Sequence, residues 1–461
     1  MNWQRAKLCS IFALMTLGVV GAISKWAIGG FGSPSGIKIN AKGILSTQVF
    51  QDPTGQLTQQ RINAAKASLN RELQKPSKLR KVSLNRLEKA IQKLLAEGKG
   101  ETDEMKYLAG LTQITHVFYL PETKDIVIAG PAEGFFENIA GRVVGLKSDK
   151  TILQLQDLVV ALRCFGPDGG QTRQIGCSID PTQEGLKKMQ DYLINIAGQV
   201  RPTKAHADAV AQGLKSNLGL QTVSVFGISD KTHFAQVMVE ADYRMKMIGI
   251  GLEKPQARIP SYVSKVKPAQ VAKNALTRWF FEPDYESVVV SDDQNAMQLV
   301  GKGVKLVTEN EMVAPNGIRQ RTNSKDLASM AFCSAFTRNY HQMADRTAVY
   351  AELKNLVDMS IVAAFVQKED FYGRAGWDME FFGDEDQFPV ETYVAPKQVE
   401  TAVNAIFKGN SLMTPVGGGV NIQPLKAIAE EKIRFDEKGM IKKVRDNVAV
   451  DGLGEDQWWW D

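Results

Sequence analysis

Histidine is scarce in this chain: only His116, His206, His233 and His341 occur among 461 residues, widely separated. With no His-Glu-x-x-His and no paired cysteine or histidine spacing, no zinc signature exists. The nucleophile-elbow pattern Gly-x-Ser-x-Gly, the phosphate-cradling P-loop and the dinucleotide fingerprint Gly-x-Gly-x-x-Gly are also absent. Ser264 and Lys267 fit Ser-x-x-Lys but lack the Ser-Asp-Asn and Lys-Thr-Gly partners of penicillin-binding enzymes. No cofactor is therefore expected. Charge of one sign is not dominant either, since the net charge is +5 over the whole chain, too small a surplus to imply nucleic acid as a partner. Beyond the first residues, no apolar stretch approaches the about 20 residues of a membrane span.

The N-terminus reads as an export signal. Arg5 and Lys7 precede a 16-residue uncharged, mostly apolar run from Leu8 to Ile23 that ends in small residues. That order predicts cleavage after about residue 24 and an extracytoplasmic mature protein, periplasmic or secreted, with an uncleaved anchor as the alternative. The remainder, 44% hydrophobic and 23% charged, is ordinary globular material with enough length for sizeable cores. Its cations are unevenly spread. From Leu57 to Lys99 there are eleven Lys or Arg against three Glu, a local surplus of +8.

Cysteine is also rare, with four in the chain. Cys164 and Cys177 flank a turn-rich stretch, CFGPDGGQTRQIGC, between apolar runs, which leaves two readings: a disulfide, favoured by an oxidising compartment, or two buried thiols on neighbouring strands. Cys333 sits among Ala331, Phe332 and Phe336 and suits a small buried hydrophobe.

Periodicity predicts the elements. IKINAKGILS alternates as a short hairpin; Gln56 to Gln74 and the run opened by Ser83 read as helices, the second with Leu84, Leu87, Ile91 and Leu94 in an apolar stripe. ITHVFYL and DIVIAG form a second hairpin, and TILQLQDLVVALRCF continues as strand. Asp180 and Pro181 read as the N-cap and first residue of a helix, and AHADAVAQGLKSNLG as another. QTVSVFGIS and HFAQVMVE read as paired strands, while EADYRMKMIGIG reads as a helix through the spacings Glu240 to Arg244 and Asp242 to Lys246. TRWFF, SVVVS, AMQLV and VKLVTE are strands, and Lys325 to Ala344 with Thr347 to Val366 a helical hairpin. Gly417-Gly418-Gly419 reads as a plain turn, Asp384-Glu385-Asp386 as a solvated acidic loop or a hard-cation site, and the closing Asp-Gln-Trp-Trp-Trp-Asp as a frayed end.

The phrases CSIDPTQEGL, VEADYRMKMIGIGLEKP, FTRNYHQMADRTAVYAELKNLVDMSIVAAF and MTPVGGGVNI resemble a functionally uncharacterised family of exported proteins from planctomycete-type bacteria. The resemblance runs from about Leu111 to Pro424. It implies an extracytoplasmic α+β body and carries over no catalytic residue.

The expected architecture is thus α+β. Residues 1–24 are the signal, 25–56 a linker and hairpin, 57–110 a basic helical region, 111–310 a mixed sheet with flanking helices, 311–424 a helical hairpin with an irregular section, and 425–461 a tail. Asp242, Tyr243, Arg244 and Lys246 form the candidate binding surface. Arg86, Lys89 and Lys93 are the candidate contacts of residues 57–99 with an anionic envelope polymer or membrane surface. The leading functional expectation is a non-catalytic exported protein that binds or assembles; the rival is an extracytoplasmic hydrolase whose catalytic residues are dispersed in sequence.

Overall fold

Two mixed or antiparallel sheets organise the chain. The computed structural model describes residues 35–461 except 197–198, 200–202, 268–274, 285–287, 314–315, 317, 323–325, 405, 409–410, 414–415, 449, 451–452 and 455. The expected signal peptide lies outside the described residues. The fold is α+β as expected, and Ser33–Asp461 forms one compact unit.

Among the described residues, the larger sheet has nine strands in the order Ser35–Ile39, Ile44–Val49, Gln398–Glu400, Leu220–Phe226, Ile175–Asp180, Val416–Ile422, Ala275–Pro283, Val304–Val313 and Arg319–Thr322. Strand Ala275–Pro283 runs parallel to Val416–Ile422, whereas most neighbours are antiparallel, so the sheet is mixed. The smaller sheet is built on the expected hairpin of His116–Leu120 and Asp125–Ala132. Its other strands include Ser77–Ser83, Ala296–Leu299 and Trp459–Trp460.

Helix His233–Gly249 packs on strands Ile175–Asp180 and Val416–Ile422, and helix Ala348–Lys368 packs against it and against helix Leu155–Arg163. The 348–368 helix is buried almost all round, as its continuous apolar sequence from Ile361 to Val366 demands. Beside it, Phe332 and Phe336 of helix Leu327–Arg338 press on Trp279 and Phe281 of the large sheet. The expected helical hairpin is present with a break at Asn339, where a short helix Tyr340–Arg346 begins.

Several expectations are corrected. LQDLVVALR is a helix rather than a strand: Leu155, Leu158, Val159 and Leu162 lie on one helical face and are buried. Cys164 therefore ends a helix, Cys177 sits in strand Ile175–Asp180, and no disulfide joins them. With Cys333 they are free, buried thiols, and burial pushes the Cys164 thiol up to about 11. HFAQVMVE belongs to the 233–249 helix, with Phe234, Met238, Ala241, Met245 and Ile248 fully buried at spacings of four and three.

Thr182, not Asp180, caps helix Gln183–Asn195, its hydroxyl accepting from Gly185 N at 3.0 Å. Asp180 is drawn instead into ion pairs with Arg278 and Arg319. The three glycines lie in a strand, not a turn. A Cβ on Gly418 would stand 2.0 Å from the Trp279 carbonyl oxygen, so only glycine lets these parallel strands approach here.

The C-terminal tryptophans are not frayed: Trp459 and Trp460 pair with Val82 and Lys81, extending the small sheet. Arg80, fully buried, gives the reason. It donates to both carboxylate oxygens of Asp461 at 2.9 Å and to the Ala109 carbonyl at 2.8 Å, and stacks on the Trp459 ring. A buried guanidinium needs such partners, and the Asp461 side chain supplies the charge.

Candidate functional site

The expected surface of Asp242, Tyr243, Arg244 and Lys246 divides across helix His233–Gly249. Asp242 is 0% and Lys246 5% exposed. Their 2.8 Å ion pair points into the large sheet, where Lys246 Nζ also donates to the Ile179 carbonyl at 3.0 Å. Asp180, Arg278, Glu311 and Arg319 extend this cluster across four strands. Burial pushes the Asp242 carboxyl up to about 6 despite Lys246 beside it. For Asp180, burial acts in the same direction, but Arg278 and Arg319 outweigh it and hold the carboxyl below its ordinary value. Tyr243 is partly buried against the main core. Arg244 belongs to another network, with Glu253 at 2.7 Å and Glu240 at 3.4 Å.

Residues 57–99 contain a helix Gln56–Ser68 and a helix Leu84–Ala96 capped by Ser83, with strand Ser77–Ser83 between them. Arg86 pairs with Asp125 at 2.8 Å and Lys93 with Asp456 at 2.7 Å, while Lys89 is exposed. The acidic triplet is also partly engaged, Glu385 pairing with Arg163. Among the described residues, no cluster of three His, Cys, Asp or Glu is placed to hold a metal ion.

A site the sequence reading passed over lies at the other end of the same helix. A cleft of about 360 Å³ opens between the starts of helices Leu155–Arg163 and His233–Gly249, the turn at Ala140–Arg142 and the segment Phe388–Tyr393. His233 is the first residue of its helix, placed there by the Thr232 cap, whose hydroxyl accepts from Ala235 N at 3.2 Å. Its Nδ1 lies 2.8 Å from Asp157 Oδ2, in the first turn of the other helix. An ionised carboxylate only accepts, so Nδ1 carries a proton and Nε2 faces the neighbouring Gln154 amide nitrogen, 3.4 Å away.

Gln156 Nε2 donates to Gln154 Oε1 at 2.5 Å and to the Tyr393 hydroxyl at 3.2 Å. The Tyr393 ring returns to His233, with centroids 5.8 Å apart. Hydrogen bonds thus chain His233, Gln154, Gln156 and Tyr393 along the wall, an aromatic contact returns Tyr393 to His233, and Asp157 braces the imidazole from beneath. Asp157 Oδ1 is buried with no hydrogen-bond partner. Deeper, Arg142 bridges Glu240 and Glu352, joining the cleft to the Arg244 network.

The arrangement can orient a polar ligand. It also supplies a carboxylate-braced imidazole of the kind used as a general base. Among the described residues, no serine or cysteine lines it.

Residues 177–262 match a family of proteins of unknown function, DUF1598. This span contains two of the four phrases that carried the resemblance, CSIDPTQEGL and VEADYRMKMIGIGLEKP, together with His233 and the whole central helix. No curated protein and no solved structure matches the chain. The sequence did hold a signal for the site: Thr232 before a helical apolar period marks a helix start at His233. Asp157, 76 positions away, becomes its partner only through packing of the two helices.

Proposed function

We propose that this is an exported, non-catalytic binding protein that holds a small polar molecule in the cleft at the start of helix His233–Gly249. One observation carries the binding reading: Asp157, His233, Gln154, Gln156 and Tyr393, scattered over 240 positions, are joined in one polar wall of a concave site. Concave sites with a few convergent polar groups are where small ligands are held. Export rests on the N-terminal order of Arg5, Lys7 and the apolar run. The test is native mass spectrometry of protein from its own cells, beside a Thr392→Trp variant, which fills the cleft mouth from an exposed position. A bound small molecule present in the parent and lost in the variant is expected, with a mature N-terminus between Ile23 and Gly32. An empty parent protein, or a ligand retained equally by both, overturns the binding reading; retention of Met1 overturns cleavage.

A second reading, hydrolysis, is favoured by the His233–Asp157 pair, since an imidazole so braced can take a proton from water. Turnover of ester, glycoside or peptide substrates that falls at least about a hundredfold in His233→Gln would favour this reading over binding alone.

A further inference from the structure

We infer that the ligand of this cleft is an uncharged saccharide of one or two rings; the inference rests on the binding reading above.

Charge is the first ground. The acids and bases lining the cleft are engaged with one another. Arg142 is paired with Glu240, and behind it with Glu352, while Lys106 lies 4.0 Å from Glu101. The charged residues of the lining are two acids and two bases, which cancel, and Asp157 beneath them is paired with His233. A charged ligand could claim Arg142 or Glu240 only by leaving a buried partner unpaired, whereas Lys106, exposed and 4.0 Å from a partly exposed Glu101, is screened by solvent.

The second ground is the kind of polar group on offer. Gln156, whose amide hydrogens are spent on Gln154 and Tyr393, offers its acceptor oxygen, while Gln154 and Gln236 each keep an amide donor and an acceptor beside the His233 ring. Burial pushes the Tyr107 hydroxyl above its ordinary value, so it stays protonated and able to donate. Mixed donors and acceptors on neutral groups suit hydroxyls, which both donate and accept.

The third ground is the aromatic component. Tyr107 and Tyr393 combine a polar tip with an apolar ring face. A pyranose has matching surfaces, apolar C–H faces and a rim of hydroxyls. The volume, about 360 Å³, sits at the small end of the roughly 300–1,000 Å³ of small-molecule sites, which limits the ligand to one or two rings.

The experiment is isothermal titration of the full chain with cellobiose, maltose and N,N′-diacetylchitobiose, and with digalacturonate as the acidic counterpart. It uses the parent and the Tyr393→Phe, Tyr393→Ala, Gln156→Leu and Thr392→Trp variants, each checked for an unchanged melting temperature. At least one neutral disaccharide should bind, digalacturonate at least about tenfold more weakly. Tyr393→Ala and Gln156→Leu should each weaken binding about tenfold, and Thr392→Trp should abolish it. If Tyr393→Ala does not fold, Tyr393→Phe and Gln156→Leu carry the test, with losses of about threefold or more expected. Tight binding of digalacturonate, or neutral binding that every variant leaves intact, overturns the saccharide inference. Absence of disaccharide binding while a different co-purified molecule occupies the cleft overturns this inference and leaves the binding reading standing. Absence of both overturns the two together.

Discussion

Two ion pairs on helix His233–Gly249 share the same four-residue spacing and have opposite surroundings. Asp242–Lys246 faces the large sheet and is sealed among strands; Glu240–Arg244 faces the cleft side and is continued by Arg142, Glu352 and Glu253. A third pair of that spacing, Lys204–Asp208, stands in solvent. Spacing places two side chains on one helical face, whereas burial decides what their meeting is worth. The 240–246 motif is thus two structural devices back to back, and the His233–Asp157 pair of the cleft wall lies about two turns before Glu240.

The sharpest break of that comparison is Lys246→Met, which leaves Asp242 buried without its counter-charge. A loss of about 3 kcal/mol at pH 7 is expected in urea denaturation. Without Lys246, whose charge lowers it, the Asp242 carboxyl lies higher still, so the loss should shrink as pH falls toward about 6 and level off below, where the parent takes up the same proton. The sign follows from the raised carboxyl. The folded state holds this proton more tightly than the unfolded chain, whose carboxyl titrates near 3.8, so the associated stability is present below about pH 4 and is lost as pH rises through about 6. Asp242→Asn, which cannot titrate, should therefore gain on the parent as pH rises across that window. A parent-to-Asn difference that does not change between pH 4 and pH 7 contradicts the assignment.

On the cleft side, Arg142→Met should cost less, about 2 kcal/mol, because Glu240 keeps Arg244 while Glu352 loses its base. Chemical denaturation measures it, and the same variant should lose the ligand of the cleft, whereas Lys246→Met, where folded, should keep it. Arg244→Lys comes next. An ammonium cannot reproduce the fork that reaches Glu253 Oε1 from Nε at 3.0 Å and from Nη2 at 2.7 Å, and a loss of about 1 kcal/mol is expected by the same assay. Smallest is Lys204→Ala, which breaks the exposed pair of identical spacing and should leave the denaturation midpoint unchanged. A shift there comparable to that of Lys246→Met would mean that spacing, not burial, sets the scale.

Where local pattern and tertiary need agreed, the elements were legible in the sequence. The hairpins of residues 35–49 and 116–132, the Ser83 cap, the strands from Ala275 to Val313 and the long helix at 348–368 needed only alternation, helical period and capping chemistry. The misreadings share a cause. QVMVE and LVVAL contain β-branched residues that imitate strands over a short window, although the longer apolar periods of Phe234 to Ile248 and Leu155 to Leu162 are helical. At Asp180, Gly418 and the terminal tryptophans, local preference was overruled by a distant partner: Arg278 and Arg319, the backbone of Trp279, and the buried Arg80.

What the sequence by itself determined is the fold class, most element positions and the absence of the common catalytic signatures, because these follow from interactions within a few residues of chain. Tertiary structure alone decided which charges are buried, that Cys164 and Cys177 stay apart, and that Asp157, His233 and Tyr393 meet. Those outcomes depend on helices and loops remote in sequence being packed against one sheet, and no period or spacing along the chain encodes which faces will meet.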